Sequence, residues 1–303
     1  MIEGGGLGAW KPEQIGPVSV HRENGVIDIV VNDEAEAVRV AKQVLACVQG
    51  PLADWECNDQ EKLAELMPSN RRYTYDVRKV LNQVLDKDSF IETRRDAGRA
   101  VVTGLARVEG RAIAVLASDC RHLGGALDGD AAVKAIALYQ LAEKWQLPVV
   151  SFIDTPGFMV GPDIEEAGQV AKVSRLFVAG SRFSQSLVTV ILRKGYGLGA
   201  MAMAGGGFSR PVYCCAWPTG EVGAMGLEGA VRLGYRDQLS EIADPKARDI
   251  EYRRLVDKLY ERGSALNAAS LLEFDAVIDP KTTRDVIDKA LWSDQAANLK
   301  VIN

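Results

Sequence analysis

The chain has 303 residues, 47% of them hydrophobic, and its 36 basic and 41 acidic residues give a net charge of −5. This length and hydrophobic content are enough to form the buried core of one large domain or two small ones without disulfides or metals. The dispersed charges give no footprint for nucleic acid or anionic lipid, and no apolar stretch is long enough for a membrane span. The five cysteines lack CxxC or zinc spacing and are interpreted as buried free thiols. Without a signal peptide pattern, we predict a cytoplasmic protein, or a mitochondrial matrix protein in a eukaryote.

The first fifty residues predict the tail end of a larger domain. After a glycine-rich start, the alternating run at 27–31 predicts a strand, and Asp33 is the expected N-cap of a helix that ends at Gly50 and Pro51. Residues 51–75 are polar and rich in turn formers, as in a linker. We therefore predict three parts: residues 1–50, a linker at 51–75, and a main domain at 76–303.

The main domain is predicted to alternate strands and helices. A short helix begins at Asp76, and two apolar runs at 101–108 and 112–117, joined by Glu109 and Gly110, predict a β-hairpin. Helices at 134–145 and 166–180 then alternate with buried strands at 149–154 and 186–192. A long charged helix at 244–272 and a helix after Pro280 complete the pattern. This alternation predicts an α/β fold.

A glycine-rich turn follows the last of these buried strands. Glycines 195, 197 and 199 lie where a strand runs into a helix, so the backbone can approach a ligand and free amides can face negative charge. A tight packing turn is the alternative. The GxGxxG spacing of a dinucleotide site is absent.

Two further loops are candidates for the same site. Gly125 and Ala126, in the loop at 123–130, could direct a second amide to the same point, and two converging amides make an oxyanion hole. The segment 154–158 ends a strand, where α/β folds place their sites, although Asp154 could also be only a turn former. His21 and His122 lack metal-ligand spacing and no serine lies in a GxSxG motif, so metal and serine-hydrolase chemistry are not supported.

Eight segments, in this order, resemble the carboxyltransferase β-subunits of acyl-CoA carboxylases that act on propionyl-CoA, acetyl-CoA or methylcrotonyl-CoA. They are DVR at 76–78, DSFIE at 88–92, GLARVEG at 104–110, DTPGF at 154–158, RKGYG at 193–197, AWPTGE at 216–221, MGLEGAV at 225–231, and VIDP at 277–280 with Thr283 and Arg284. The resemblance covers residues 75–291.

The resemblance implies a crotonase-like fold with two related halves, whose site lies between the N-terminal half of one subunit and the C-terminal half of another. Acyl-CoA is held mainly by the first half and carboxybiotin by the second. Only residues 2–48 resemble the N-terminal half, so residues 1–50 are expected to be its remnant and 76–303 the C-terminal carboxyltransferase domain. We expect the chain to be a fragment or a truncated form that is inactive alone.

The resemblance also implies the chemistry. Carboxybiotin, on a partner carrier domain, releases CO2; biotin then takes the substrate proton, and the acyl-CoA enolate captures CO2 at its α- or γ-carbon. Backbone amides hold the oxyanions, and the family pattern places them at Leu198 and Gly199. No side-chain base and no metal is needed. The residues expected to line the substrate and biotin site are Asp154, Pro156, Gly157, Phe158, Tyr196, Gly197, Ala200 and Met201. The implied partners are a biotin carboxylase or biotin carboxyl carrier subunit, the acyl-CoA and further copies of the chain.

The sequence departs from the family pattern at one informative place. Many members that use short acyl groups have an acidic residue at the position of Met201, and Gly-Ala where Leu198 and Gly199 stand. A larger or more apolar acyl group is compatible with Met201. Three alternatives remain open: a biotin-dependent decarboxylase subunit, a crotonase-like hydratase or hydrolase, which would need paired carboxylates, and a non-catalytic assembly module.

Overall fold

The computed structural model describes residues 2–291, and its centre is an eight-stranded sheet. Seven strands follow the order β1-β2-β3-β4-β5-β6-β8, and β7 pairs with β5. The strands are β1 (Ile91–Thr93), β2 (Val101–Val108), β3 (Arg111–Ser118), β4 (Val149–Thr155), β5 (Leu187–Tyr196), β6 (Tyr213–Ala216), β7 (Glu221–Gly223) and β8 (Ala276–Val277). Pairing is antiparallel among β1, β2 and β3 and parallel from β3 onward.

The helices connect and cover these strands. They are α1 (Val18–Glu23), α2 (Glu34–Ala46), α3 (Val77–Val84), α4 (Gly129–Trp145), α5 (Pro162–Glu166), α6 (Gln169–Arg182), α7 (Gly197–Met203), α8 (Leu227–Gly234), α9 (Arg236–Ser240), α10 (Pro245–Gly263), α11 (Ala265–Ser270) and α12 (283–291). Among residues 2–291, no helix has both the length and the apolar character that a bilayer crossing needs.

Both faces of the sheet are buried. Successive side chains of a strand point to opposite faces, so each strand contributes to the packing on both sides. In β4, Val149 and Ile153 pack in one core cluster with α4, whereas Val150 and Phe152 pack in a second cluster with α3. All seven residues of β4 are buried. The near-continuous apolar runs that predicted buried strands are therefore confirmed as parallel strands covered on both faces.

Local signals located the hairpin and two helix starts correctly. Glu109 and Gly110 have φ of 53° and 74°, which suits the two-residue turn that joins β2 and β3. The Asp33 carboxylate accepts a hydrogen bond from the Glu36 amide at 2.8 Å, and Asp76 caps α3 in the same manner. The helix predicted after Pro280 is present as α12.

Asp86 ties the hairpin turn to the end of the domain. Its buried carboxylate accepts hydrogen bonds from the amides of Glu109 (3.0 Å) and Gly110 (2.8 Å). It also pairs with Arg284 of α12, at 2.5 Å. One carboxylate thus joins segments that are far apart in sequence.

Three predicted elements were wrong in detail. The run at 27–31 is not a strand. The Ile27 amide donates to the His21 carbonyl, and the Asp28 carbonyl accepts from the Arg94 amide, so these backbone groups do not pair with a neighbouring strand. The helix predicted at 166–180 is split by Gly168, whose φ is +72°, into α5 and α6. The helix predicted at 244–272 breaks at Ser264, which caps α11.

Residues 51–75 pack against the main domain. Leu63, in a 3-10 turn, is fully buried, and Met67 joins it in the same core cluster as α3. The Arg107 side chain donates to the carbonyls of Ala46 and Gly50, which links the N-terminal region to β2. The predicted division into three parts stays a prediction, and residues 292–303 of its last part lie outside the described residues.

All five cysteines are free thiols, as predicted. Four are buried, whereas Cys57 is half-buried, so the predicted burial was wrong for that residue. Burial raises the pKa of the Cys215 thiol to about 12, so this cysteine is inert at neutral pH.

Candidate functional site

Three glycine-containing segments meet at the carboxyl ends of β4 and β5. A Cβ atom on Gly199 would lie 2.6 Å from the carbonyl carbon of Gly157 and 3.0 Å from the Phe158 nitrogen. The Leu127 amide donates to the Gly157 carbonyl at 2.9 Å, and the Met159 amide donates to the Leu127 carbonyl at the same distance. The structure therefore brings together the three loops that the sequence singled out.

The turn into α7 has the features expected of an oxyanion-binding turn. Tyr196 is the N-cap residue, yet no side chain caps the helix, and the first amides of a helix have no partner within it. Gly197 has φ of +59°, which favours glycine, and Gly199 has no room for a side chain. Leu198 is 63% exposed, and Met201 is 38% exposed.

The loop at 123–130 plays a different part from the one predicted. The Gly125 amide donates to the His122 carbonyl at 2.9 Å, and the Ala126 amide donates to the Leu123 carbonyl at 3.1 Å. Both amides are thus used inside a 3-10 turn and are not free for a ligand. Gly125 is instead needed for packing, since a Cβ there would lie 2.5 Å from the Asp154 carbonyl oxygen.

The carboxylate of Asp154 is used entirely within the protein. It is completely buried and pairs with Arg193 at 2.9 Å, and it accepts a hydrogen bond from the Lys194 amide at 3.1 Å. The guanidinium of Arg193 lies 5.1 Å from the Tyr75 ring centroid. Asp154 therefore holds the end of β5 in place, and the expected contact with substrate does not involve its side chain.

A second polar network holds Tyr196, the first residue of the turn. Its hydroxyl donates to Glu221 of β7 at 2.7 Å, and Arg71 pairs with Glu221 at 3.4 Å. The Arg71 guanidinium lies 3.6 Å from the ring centroid of Tyr260 in α10. Burial, and then the hydrogen bond to Glu221, raise the pKa of the Tyr196 hydroxyl far above its usual value, so it stays protonated and can donate.

Replacing Tyr196 by phenylalanine should lower the free energy of unfolding. The change deletes a hydrogen bond to a charged acceptor, which contributes about 1.5–3 kcal/mol. Urea denaturation measures the loss. Tyr235→Phe is the matched control, since the described residues make no hydrogen bond to the Tyr235 hydroxyl. Equal midpoints for the two variants would show that the Tyr196 bond contributes little.

Pro156 and Phe158 flank the contact between the loops, and both are partly exposed, whereas Ala200 is buried behind the turn. The Phe158 ring packs on Phe177 of α6, with centroids 6.2 Å apart. Among the described residues, no group of three or more histidine, cysteine, aspartate or glutamate side chains could hold a metal ion.

Sequence reasoning missed the two networks behind the turn. The pattern suggested no partner for Arg193, and Glu221 appeared only within a family segment. The one available signal was the proximity of charged residues to apolar strand ends, since a charge next to a buried strand needs a partner.

The mixed sheet and the helices on both of its faces form an α/β protein, and its fold is that of the crotonase-like carboxyltransferases, as predicted. The sequence of residues 9–302 matches the family model of the carboxyl transferase domain. The chain belongs to this family of carboxyl transferase domains.

Individual relatives agree with this assignment. The chain is 32% identical to the carboxyltransferase subunit of propionyl-CoA carboxylase from Haloferax mediterranei, over 90% of this chain and 54% of that protein. It is 30% identical to the beta4 subunit of a biotin-dependent long chain acyl-CoA carboxylase from Mycobacterium tuberculosis, over 92% of this chain and 57% of that protein. The chain thus spans little more than half the length of these two relatives.

Solved structures show the same fold. A single-chain, multi-domain long-chain acyl-CoA carboxylase superposes with a TM-score of 0.89 and 49% identity, over 96% of this chain and 28% of that one. The transcarboxylase 12S hexamer with methylmalonyl-CoA bound superposes with a TM-score of 0.86 and 27% identity, over 97% of this chain and 58% of that one.

Proposed function

We propose that the chain is the carboxybiotin-facing part of the carboxyltransferase of a biotin-dependent acyl-CoA carboxylase. The observation that carries the proposal is the contact of the uncapped turn at Leu198 and Gly199 with the loop at Gly157. Amides fixed at a helix start meet a developing oxyanion without reorganisation. The names of the relatives support the same activity.

The residues at the turn fit biotin. An uncapped helix start offers donors to a carbonyl oxygen, and the exposed apolar side chains of Leu198 and Met201 lie on the same turn, where they can cover an apolar ring. Bound carboxybiotin would supply the CO2 equivalent. The amides of Leu198 and Gly199 would hold its ureido oxygen, while the pairs behind them keep the turn rigid. No metal enters this proposal.

The same turn bears on the choice of acyl group. Met201 is apolar and partly exposed at the position where many short-chain members of the family have an acidic residue, and the exposed Leu198 stands where they have glycine. The solved structure with 49% identity is of a long-chain acyl-CoA carboxylase. We therefore propose a long acyl-CoA as substrate, with a biotin carboxylase and a biotin carrier as partners.

A hydratase has less support, since it would need paired carboxylates at the oxyanion hole. Asp154 at this edge is already neutralised by Arg193. A decarboxylase subunit would use the same turn in the reverse direction, and an assembly module would not need it.

The test is incorporation of radioactive bicarbonate into palmitoyl-CoA or propionyl-CoA, with biotin carboxylase and biotinylated carrier added. The chain alone should be inactive, because it spans little more than half the length of the matched relatives. Adding the separately expressed N-terminal half of a relative should restore fixation, with palmitoyl-CoA preferred. If the mixture fixes no more bicarbonate than the added half alone, the chain is not the catalytic component.

We also propose that the chain self-associates. Several large apolar side chains are exposed, including Leu7 at 71%, Trp10 at 56% and Val160 at 78%. Obligate interfaces bury apolar surface of this kind. Light scattering at micromolar concentration should give a mass well above the 32.8 kDa of one chain. A strictly monomeric mass would contradict this.

A further inference from the structure

A cleft of about 490 Å³ lies beside the segment that leads into the loop at 123–126. It is formed by the start of α3, the loop before β2 and the residues after β3, so it lies near the sheet edge that carries the candidate site. Five basic or imidazole side chains line it: Arg78, Arg95, Arg99, Arg121 and His122. This concentration of arginine contrasts with the dispersed charge of the rest of the chain.

The carboxylates in and beside the cleft are already paired with arginine side chains. Asp119 bonds to Arg78 at 2.7 Å and to Arg121 at 3.2 Å. Both oxygens of Glu92 bond to Arg78. Asp96 pairs with Arg22 at 3.0 Å. These acids neutralise the deeper arginines and leave little negative charge for the outer ones.

Two exposed guanidinium groups therefore remain at the mouth of the cleft. Arg95 comes no closer than 3.8 Å to Glu92, whose oxygens are already bonded to Arg78. Arg99 is exposed and makes no ion pair with any described residue. The deeper pairs hold Arg121 next to them, with 42% of its side chain exposed.

Planar guanidinium groups with open donors match phosphate oxygens in a bidentate manner. We propose that this cleft binds phosphate groups, and that the ligand is the phosphate-bearing end of a CoA ester. The phosphate site stands on the cleft itself, whereas its assignment to CoA rests on the proposed function. The C-terminal domain would then hold part of the acyl-CoA as well as biotin.

The test is direct binding to the full chain by calorimetry, with CoA, 3′-dephospho-CoA, pantetheine and inorganic phosphate as separate ligands. CoA should bind at least tenfold more tightly than pantetheine, and Arg99→Glu or Arg95→Glu should weaken CoA binding about tenfold or more. Arg236→Glu, on the exposed helix α9, is the matched control and should change nothing. Binding should also weaken with added salt.

Equal binding of CoA and pantetheine would overturn the proposal, as would normal CoA binding by folded variants of both Arg95 and Arg99. Equal binding of CoA and inorganic phosphate would overturn the assignment to CoA and identify a site for free phosphate. Unchanged melting temperatures show that the variants are folded. Because this assay needs neither biotin nor turnover, it can succeed when the carboxylation assay fails, and the two outcomes remain distinguishable.

Discussion

Gly199→Ala is expected to reduce carboxyl transfer by about a hundredfold or more. The added methyl group would lie 2.6 Å and 2.8 Å from backbone atoms of Gly157, and such contacts cannot be relieved by rotating a side chain. The turn would have to move away from the loop, and the amides of Leu198 and Gly199 would leave their positions. Loss of one oxyanion donor costs about 3 kcal/mol. The measurement is bicarbonate fixation by the reconstituted enzyme.

Gly207→Ala is the matched control. A Cβ at Gly207 meets nothing within 4 Å, so the same chemical change should leave transfer unaltered. Gly199→Pro, which removes the amide hydrogen itself, should abolish transfer. Near-normal rates in a folded Gly199→Ala protein would show that the hole lies elsewhere in the molecule.

Asp154→Asn is expected to lower the free energy of unfolding by about 3–5 kcal/mol. The Asp154 side chain is fully buried and that of Arg193 is 4% exposed, so the change would leave a buried guanidinium without its counter-charge. Urea denaturation at neutral pH provides the measurement.

Asp249→Asn provides the comparison at an exposed ion pair. Asp249 pairs with Arg253 at 2.6 Å on the surface of α10, where both side chains are more than half exposed. An exposed pair contributes about 0–1 kcal/mol. If the two variants lose similar amounts of stability, the buried pair does not organise the end of β5.

Much of the fold could be predicted because its signals are local. The carboxylate of Asp33 and the turn at Glu109 and Gly110 act on residues within three or four positions. The run at 27–31 failed as a strand because a strand needs a neighbour, and periodicity alone cannot supply one. Gly168 interrupted a helical pattern by adopting a positive φ, which the apolar spacing does not reveal.

In the proposed site, only the close packing of the glycines could be expected from the sequence. Gly157, Gly197 and Gly199 stand at strand ends, where close backbone approach can be expected from residue type. The residues that hold the turn rigid were not predictable, since Arg193 and Asp154 are 39 positions apart and Tyr196 and Glu221 are 25 apart. The amides of Gly125 and Ala126 were misassigned because a local 3-10 turn had already used them.

The contacts of Asp86 also have a consequence for the order in which the chain folds. Its bonds to the hairpin turn span 23 and 24 positions, whereas its bond to Arg284 spans 198. Hairpins form in roughly 1–10 μs, while closure of a long loop waits until intervening strands have assembled. The bond to Arg284 is therefore expected to form late, after the rate-limiting step. Loss of Arg284 would then be seen as faster unfolding, with the folding rate nearly unchanged.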